Sequence, residues 1–247
     1  MRNRVFHYLM KKLKEEKLHF TLLDPDKDNE LKPADLAMIA DMAGTDAILV
    51  GGSSPITKTK LDQTIRQIKK RTELPVILFP SSVGYLSSLA DAVFYMSLLN
   101  SNDPRYIIRE PAKGAPIIKK MGIEPISMGY LVIEPGMTVG KVGKAELIKR
   151  DDVKSAVEYA IHAQYLGIKF FYLETGSGSP EPVPAKMIKA VKKEIDIPVI
   201  VGGGISTPKI AREEIKAGAD IIVTGTSLEK GEIKQVQEII SAIKKTT

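Results

Sequence analysis

Residues 171–179 carry side chains that could bind and transform a phosphorylated substrate. The segment reads F-Y-L-E-T-G-S-G-S, so an apolar run ends at Glu174 and gives way to glycines and hydroxyls. Two later apolar runs, 199–204 and 221–226, also end in glycine, the second with flanking threonines. Three such strand ends can direct backbone N–H groups at one anion, as in the phosphate sites of parallel α/β barrels. The carboxylate beside them indicates chemistry on the group that carries the phosphate.

Short apolar runs alternate with helical patterns from one end of the chain to the other. Most of the runs are continuously hydrophobic, which is typical of parallel strands buried on both faces. They occupy residues 20–23, 47–50, 76–79, 92–96, 125–132, 170–173, 199–201 and 221–223. Helical patterns lie between them, at residues 61–71, 153–166, 184–195 and 208–217. About eight strand–helix units predict a single (β/α)8 TIM-like barrel over residues 1–247, in preference to an open doubly wound sheet.

Two segments interrupt this alternation. Residues 97–113 contain two prolines and several polar residues, so we expect an irregular βα segment there and no clean helix. Residues 133–143 contain three glycines and are predicted to form a mobile loop after the fifth strand.

Composition excludes several classes of function. The chain has no cysteine, so disulfides and thiolate metal sites are impossible. Its net charge of +6 comes from lysines scattered along the sequence. We interpret them as solvated helix faces, with attraction to membrane surfaces or polyanionic substrates as the alternative. No basic motif interleaved with aromatic residues predicts nucleic-acid binding, and no apolar run approaches the ~20 residues needed to span a bilayer. We expect a cytoplasmic protein.

The first two strand ends suggest a second anion site. Asp24 and Asp26 follow the first apolar run, and residues 51–54 read G-G-S-S after the second. Paired carboxylates suit Mg²⁺, although an Asp-Pro turn that caps a helix would look the same. The Gly-Ser segment could support a diphosphate bound to that metal, or could simply be a tight turn. Two anionic substrates meeting over one barrel mouth would indicate group transfer.

Six segments together resemble the geranylgeranylglyceryl phosphate synthase family and its bacterial heptaprenylglyceryl phosphate synthase relatives. They are D-P-D-K, A-G-T-D-A-I-L-V-G-G-S, M-S-L-L-N-S, Y-L-E-T-G-S-G, V-G-G-G-I and V-T-G-T, and they span nearly the whole chain in the family's order. Y-L-E-x-G-S-G is the most diagnostic, and M-S-L-L-N-S resembles the archaeal-type second group. The resemblance implies a Mg²⁺-dependent prenyltransferase. It would join sn-glycerol 1-phosphate to an all-trans prenyl diphosphate, geranylgeranyl diphosphate in the archaeal enzymes, forming the first ether bond of archaeal lipids and releasing diphosphate.

The resemblance also assigns site residues. Asp24 and Ser53 match the Mg²⁺ positions. The glycerol phosphate site matches Tyr172, Leu173, Glu174, Thr175, Gly176, Ser177, Gly178, Gly203, Gly204, Gly225 and Thr226. Glu174 matches the carboxylate that faces the glycerol hydroxyl, and we interpret it as the proton acceptor, with Tyr172 orienting the glycerol; binding without proton transfer is the alternative. The family further implies a homo-oligomer, either a dimer or a hexamer.

A prenyl tail requires an apolar trough. Large or flexible side chains near the fourth and fifth strands could line it, or could be ordinary barrel core. They are Phe94, Tyr95, Met96, Met128, Tyr130 and Met137. A lipid-like product also suggests transient contact with a membrane surface.

Three other functions remain open on the residues alone. A phosphosugar isomerase or lyase could use Glu174 as its base, a flavin-binding barrel could hold its phosphate at the glycine-rich ends, and a phosphometabolite sensor would need no catalysis. The three histidines lack metal-ligand spacing. Ser177 and Ser179 have no partnered histidine, which disfavours a hydrolase triad.

Overall fold

Eight parallel strands close into a barrel in the computed structural model of the chain, which describes residues 4–26, 31–52, 56–226 and 231–246. Each strand pairs with its neighbours in sequence, and β8 closes the barrel against β1. The strands are β1 (Leu18–Leu23), β2 (Ala47–Val50), β3 (Val76–Leu78), β4 (Ala92–Leu98), β5 (Glu124–Val132), β6 (Phe170–Glu174), β7 (Val199–Gly202) and β8 (Ile221–Thr224). The predicted (β/α)8 barrel is confirmed, and every predicted strand is present.

Helices surround the barrel. They are α1 (Arg4–Lys12), α2 (Pro33–Met42), α3 (Lys58–Ile68), α4 (Glu110–Met121), α5 (Met137–Val142), α6 (Val153–Tyr165), α7 (Ala185–Glu194), α8 (Pro208–Ala217) and α9 (Ile233–Lys244). A 3₁₀ turn (Val83–Tyr85) and a π-helical turn (Arg105–Arg109) complete the described elements. Among these helices, none is long and apolar enough to cross a membrane.

Strand β6 shows why the strands are continuously apolar. Phe170 and Tyr172 point into the barrel interior, whereas Phe171 and Leu173 pack against the surrounding helices. All four are essentially fully buried. Successive side chains of a strand point to opposite faces, and both faces of this sheet are covered, so neither register position needs to be polar. The strand ends at Glu174, where the polar mouth of the barrel begins.

The predicted irregular segment is shorter than the sequence indicates. Strand β4 extends to Leu98, and α4 begins at Glu110, so the prediction is wrong for residues 110–113. Pro111 lies in the first turn of α4, where backbone N–H groups have no intrahelical acceptor and proline is tolerated. The π-helical turn leads directly into this helix.

The predicted mobile loop at residues 133–143 instead contains helix α5. Asn100, just after β4, holds this region in place through hydrogen bonds. Its side-chain amide donates to the carbonyls of Val132 and Glu146, both at 2.8 Å, and its carbonyl accepts from the Val132 N–H at 3.1 Å. Ser101 donates to the Gly143 carbonyl at 2.6 Å. These long-range bonds order a glycine-rich segment whose local sequence favours a loop.

Candidate active site

A cavity of about 680 Å³ opens at the carboxyl ends of the strands. Most of the residues predicted from sequence line it, which brings the two predicted anion sites onto one cavity. These residues are Asp24, Tyr172, Glu174, Ser177, Gly178, Gly203, Gly204, Gly225 and Thr226. Active sites of parallel barrels lie at this end, because the loops after the strands meet there.

Glu174 is the carboxylate at the centre of the cavity wall. Its side chain is held by two donors: the Gly176 N–H lies 2.6 Å from Oε1, and the Tyr130 hydroxyl lies 3.1 Å from Oε2. Burial raises the pKa of Glu174 above its ordinary value, and these two hydrogen bonds partly oppose the rise. A carboxylate with a raised pKa is a better proton acceptor, which suits a general base working near neutral pH.

Two tyrosines flank this carboxylate. Tyr130 and Tyr172 are partners in register on β5 and β6, and their ring centroids lie 4.9 Å apart. Burial, together with the negative charge of Glu174, raises the pKa of both hydroxyls well above 10. Both therefore remain protonated donors. From the sequence, Tyr130 is predicted only as a residue that lines the trough. Its contact with Glu174 depends on the register of the strands, which the sequence did not reveal.

The loop after β7 lies directly against Glu174. Gly203 has φ of +87°, a left-handed conformation that favours glycine. A Cβ at this position would lie 2.5 Å from Oε1 of Glu174 and would also collide with the Thr175 hydroxyl. Across the mouth, the hydroxyls of Ser177 and Thr226 are 3.0 Å apart and connect the loops after β6 and β8. Glycines and two hydroxyls therefore line this rim.

Some predicted site residues do not face the cavity. The side chain of Leu173 packs in the core beneath the helices, because successive positions of β6 face opposite ways. Thr175 is fully buried, and the Gly176 N–H is already bound to Glu174. Ser53 lies outside the described residues.

Asp24, which follows β1, also lines the cavity. Its Oδ1 accepts the Asp26 N–H at 3.0 Å, and the backbone of Gly52 lies so close that a Cβ there would be 2.6 Å from Oδ2. Asp26 pairs with Lys60 at 2.9 Å and does not line the cavity. In the described ranges, no group of three or more His, Asp or Glu side chains could hold a metal. A single wall carboxylate fits Mg²⁺ carried mainly by water and substrate phosphates, which is how Mg²⁺ usually binds with phosphorylated substrates.

An apolar extension of the cavity leads away from Glu174. Four predicted trough residues line the cavity: Phe94, Tyr95, Met96 and Tyr130. Met128 and Met137 are corrected, because Met128 is buried inside the barrel and Met137 packs against Gly176. Further apolar wall is contributed by Val83, Leu86, Tyr106, Pro111, Gly114 and Ile118. These six were not predicted from sequence because they come from the 3₁₀ turn and the residue after it, from the π-helical turn and from helix α4, and not from predicted strands.

The PcrB family profile matches residues 10–247. The chain belongs to the PcrB family. It is 52% identical over 246 residues to the geranylgeranylglyceryl phosphate synthase of Thermococcus gammatolerans, covering 98% of each chain. The Thermococcus kodakarensis enzyme of the same name is 53% identical over 232 residues, covering 94% of this chain and 92% of the relative.

A solved structure supports the same assignment. The (S)-3-O-geranylgeranylglyceryl phosphate synthase of Thermoplasma acidophilum was crystallised in complex with its substrate sn-glycerol-1-phosphate. Its fold matches with a TM-score of 0.93 at 48% identity, covering 96% of both chains. The resemblance found in the sequence is therefore confirmed, and with it the barrel fold of the family.

Proposed function

We propose that this protein transfers the geranylgeranyl group from its diphosphate to the C3 hydroxyl of sn-glycerol 1-phosphate. The product carries the first ether bond of archaeal-type membrane lipids, and diphosphate is released. One observation carries the proposal: a single cavity joins a glycine- and hydroxyl-rich rim, the buried carboxylate Glu174 and an apolar trough. The family and its synthase relatives support the same activity.

In the proposed reaction, Glu174 accepts a proton. The allylic C1–O bond of the prenyl diphosphate breaks, and its electron pair leaves with the diphosphate. The glycerol oxygen forms the new bond to C1, and its hydroxyl proton passes to Glu174. The raised pKa of this carboxyl supports that role, and the Tyr130 hydroxyl orients it. Tyr172, on the cavity wall beside it, would orient the glycerol.

We propose that Mg²⁺ binds at Asp24, with Ser53 as the second predicted ligand. When bound, the ion would stabilise the negative charge that develops on the departing diphosphate. Asp24 lines the same cavity as the rim that we assign to glycerol phosphate. Both anionic substrates would therefore bind in one cavity.

The phosphosugar isomerase or lyase is the weaker alternative. It would use the phosphate rim and Glu174 but would leave the apolar trough and Asp24 without a role. A flavin-binding barrel or a sensor would leave Glu174 without a role. The trough is the feature that favours a prenyl donor, since a cavity wall of aromatic and aliphatic side chains binds apolar ligands.

A turnover assay tests the proposal. Purified protein would be mixed with radiolabelled sn-glycerol 1-phosphate, geranylgeranyl diphosphate and Mg²⁺, with sn-glycerol 3-phosphate in a parallel reaction. We expect a labelled lipid product with the 1-phosphate. If C15, C20 and C35 donors all give no product, the transferase proposal is wrong.

Chelation tests the metal. We expect EDTA to abolish turnover and added Mg²⁺ to restore it. Asp24→Asn should lower turnover at least about tenfold, because a neutral amide is a weaker Mg²⁺ ligand than a carboxylate. Asp26→Asn is the matched control, since Asp26 does not line the cavity. Equal losses in both variants would argue against a metal role specific to Asp24.

We also propose a cytoplasmic homo-oligomer, a dimer or a hexamer, that contacts the membrane surface transiently. The net charge of +6 supports attraction to anionic lipid. Light scattering coupled to size exclusion would give the oligomeric state. Flotation with anionic and neutral vesicles would test the surface contact, and equal flotation with both would contradict an electrostatic origin.

A further inference from the structure

The fold contains a second buried carboxyl group besides that of Glu174. Glu214 is on α8 and is only 2% exposed, and both of its carboxyl oxygens lack a hydrogen-bond partner in the described part of the chain. The buried hydroxyl of Thr175, adjacent to Glu174 in sequence, also lacks one. Buried polar atoms without partners are rare and need an explanation.

The surroundings of Glu214 connect it to the active site. The negative charge of Glu174 raises the pKa of Glu214, and the charge of Glu214 in turn raises the pKa of Tyr172. The backbone N–H of Val183, in the loop between β6 and α7, faces the carboxyl but lies outside hydrogen-bond geometry. On its own helix, the neighbouring Glu213 and Lys216 are exposed. The charge of Glu214 is therefore coupled to that of Glu174.

A buried carboxyl group without a hydrogen-bond donor is ionised only at high cost, and the negative charge of Glu174 adds to that cost, so one of the two groups keeps a proton. The hydrogen bonds decide which one. Glu174 accepts from the Gly176 N–H and the Tyr130 hydroxyl, and both bonds stabilise its negative charge. Glu214 has no comparable donor among the described residues. Burial, followed by the charge of Glu174, raises the pKa of Glu214 well above its ordinary value.

We propose that Glu214 is a positioning residue that holds a proton while Glu174 is ionised, so that the site presents one negative charge to glycerol phosphate. The inference rests on the proposed role of Glu174. A phosphate monoester is largely a dianion near neutral pH, and a second carboxylate behind the rim would repel it. Glu214 thus acts through Glu174 and the charge of the site and does not touch the substrate.

The structural alternative is that Glu214 only supports the loop at Val183. Glu214→Gln distinguishes the proton-holding role from the structural role, because the amide keeps the shape and the carbonyl acceptor of the side chain but carries no acid proton. Glu213→Gln, one residue earlier and exposed, is the matched control. Infrared spectra of the resting protein at neutral pH would record the C=O stretch of a protonated carboxylic acid. We expect that band in the wild type and in Glu213→Gln, and its loss in Glu214→Gln.

Substrate binding supplies a second readout. In the wild type, KM for sn-glycerol 1-phosphate should rise at alkaline pH as Glu214 loses its proton, and this rise should be smaller in Glu214→Gln. A merely structural role would leave the two pH profiles parallel. A third variant covers the case in which Glu214→Gln fails to fold: in Glu174→Gln, the band should titrate at lower pH than in the wild type, because the neighbouring charge is gone.

Three outcomes would overturn the inference. They are an absent band in the wild type, a band that persists in Glu214→Gln, and a band whose titration ignores Glu174→Gln. The infrared measurements require no turnover. They can therefore fail while the transferase activity stands, and they can succeed even if the activity proves different.

Discussion

Replacing the central carboxylate is the most informative perturbation of this site. In the wild type, the Gly176 N–H lies 2.6 Å from Oε1 of Glu174. In Glu174→Gln, the side-chain carbonyl can still accept this N–H, and the amide nitrogen can donate to the Tyr130 hydroxyl. The buried shape is retained, so binding of glycerol phosphate should change by less than about 1 kcal/mol. The amide cannot accept the hydroxyl proton.

The expected loss is therefore in kcat. General base catalysis contributes about 10²–10⁴-fold, which corresponds to about 3–5.5 kcal/mol of activation free energy. Steady-state kinetics with varied sn-glycerol 1-phosphate, together with isothermal titration of that substrate, would separate kcat from binding. Tyr130→Phe is the matched comparison: it removes one hydrogen bond to a charged group, worth about 1.5–3 kcal/mol, and leaves the base in place.

Near-normal turnover of Glu174→Gln would refute the general-base role. If Glu174→Gln turns over within about threefold of the wild type, no proton passes to this residue in the rate-limiting step. If instead KM rises strongly while kcat is retained, Glu174 binds the hydroxyl without accepting its proton, which is the alternative that the sequence left open.

Three further perturbations test other parts of the site. Gly203→Ala places a Cβ against Glu174 at a φ of +87°, so we expect at least about 1–2 kcal/mol of destabilisation in chemical denaturation and a raised KM. At Gly122, φ is +72° and a Cβ would have no neighbour within 4 Å, so Gly122→Ala should show only the destabilisation that comes from a side chain at positive φ. Tyr95→Ala widens the trough and should shift the preferred donor towards longer chains, whereas Tyr165→Ala, 83% exposed, should leave the profile over C15, C20 and C35 donors unchanged. Because the pKa of Glu214 is raised in the fold, its contribution to stability is present in acid and is lost as the pH rises towards that pKa. Glu214→Gln should accordingly have the same melting temperature as the wild type in acid and a higher melting temperature than the wild type at neutral pH.

Each of these expectations can be contradicted. Equal destabilisation of the two glycine variants would show that the contact with Glu174 costs nothing. An unchanged donor profile in Tyr95→Ala would remove that residue from the trough. Parallel melting curves for the wild type and Glu214→Gln at every pH would show that Glu214 has an ordinary pKa.

Much of the architecture could be predicted from local patterns. Continuous apolar runs bounded by glycine indicate strands buried on both faces, and all eight proved to be strands. The errors fell where distant residues override local propensity. Helix α5 forms because Asn100 and Ser101 anchor its surroundings from another strand end, and α4 accepts Pro111 because its first turn needs no N–H donor.

The barrel, the glycine-rich strand ends and the carboxylate Glu174 could be predicted from the sequence, because each is encoded by residues adjacent in the chain. Which side chains surround that carboxylate depends on contacts between distant residues in the folded chain. Tyr130 reaches Glu174 through the register of β5 against β6, and Glu214 approaches it from a helix forty residues later. Leu173 is excluded from the cavity by the alternation of one strand. Such contacts depend on strand register and helix packing, and these are settled only when the barrel closes.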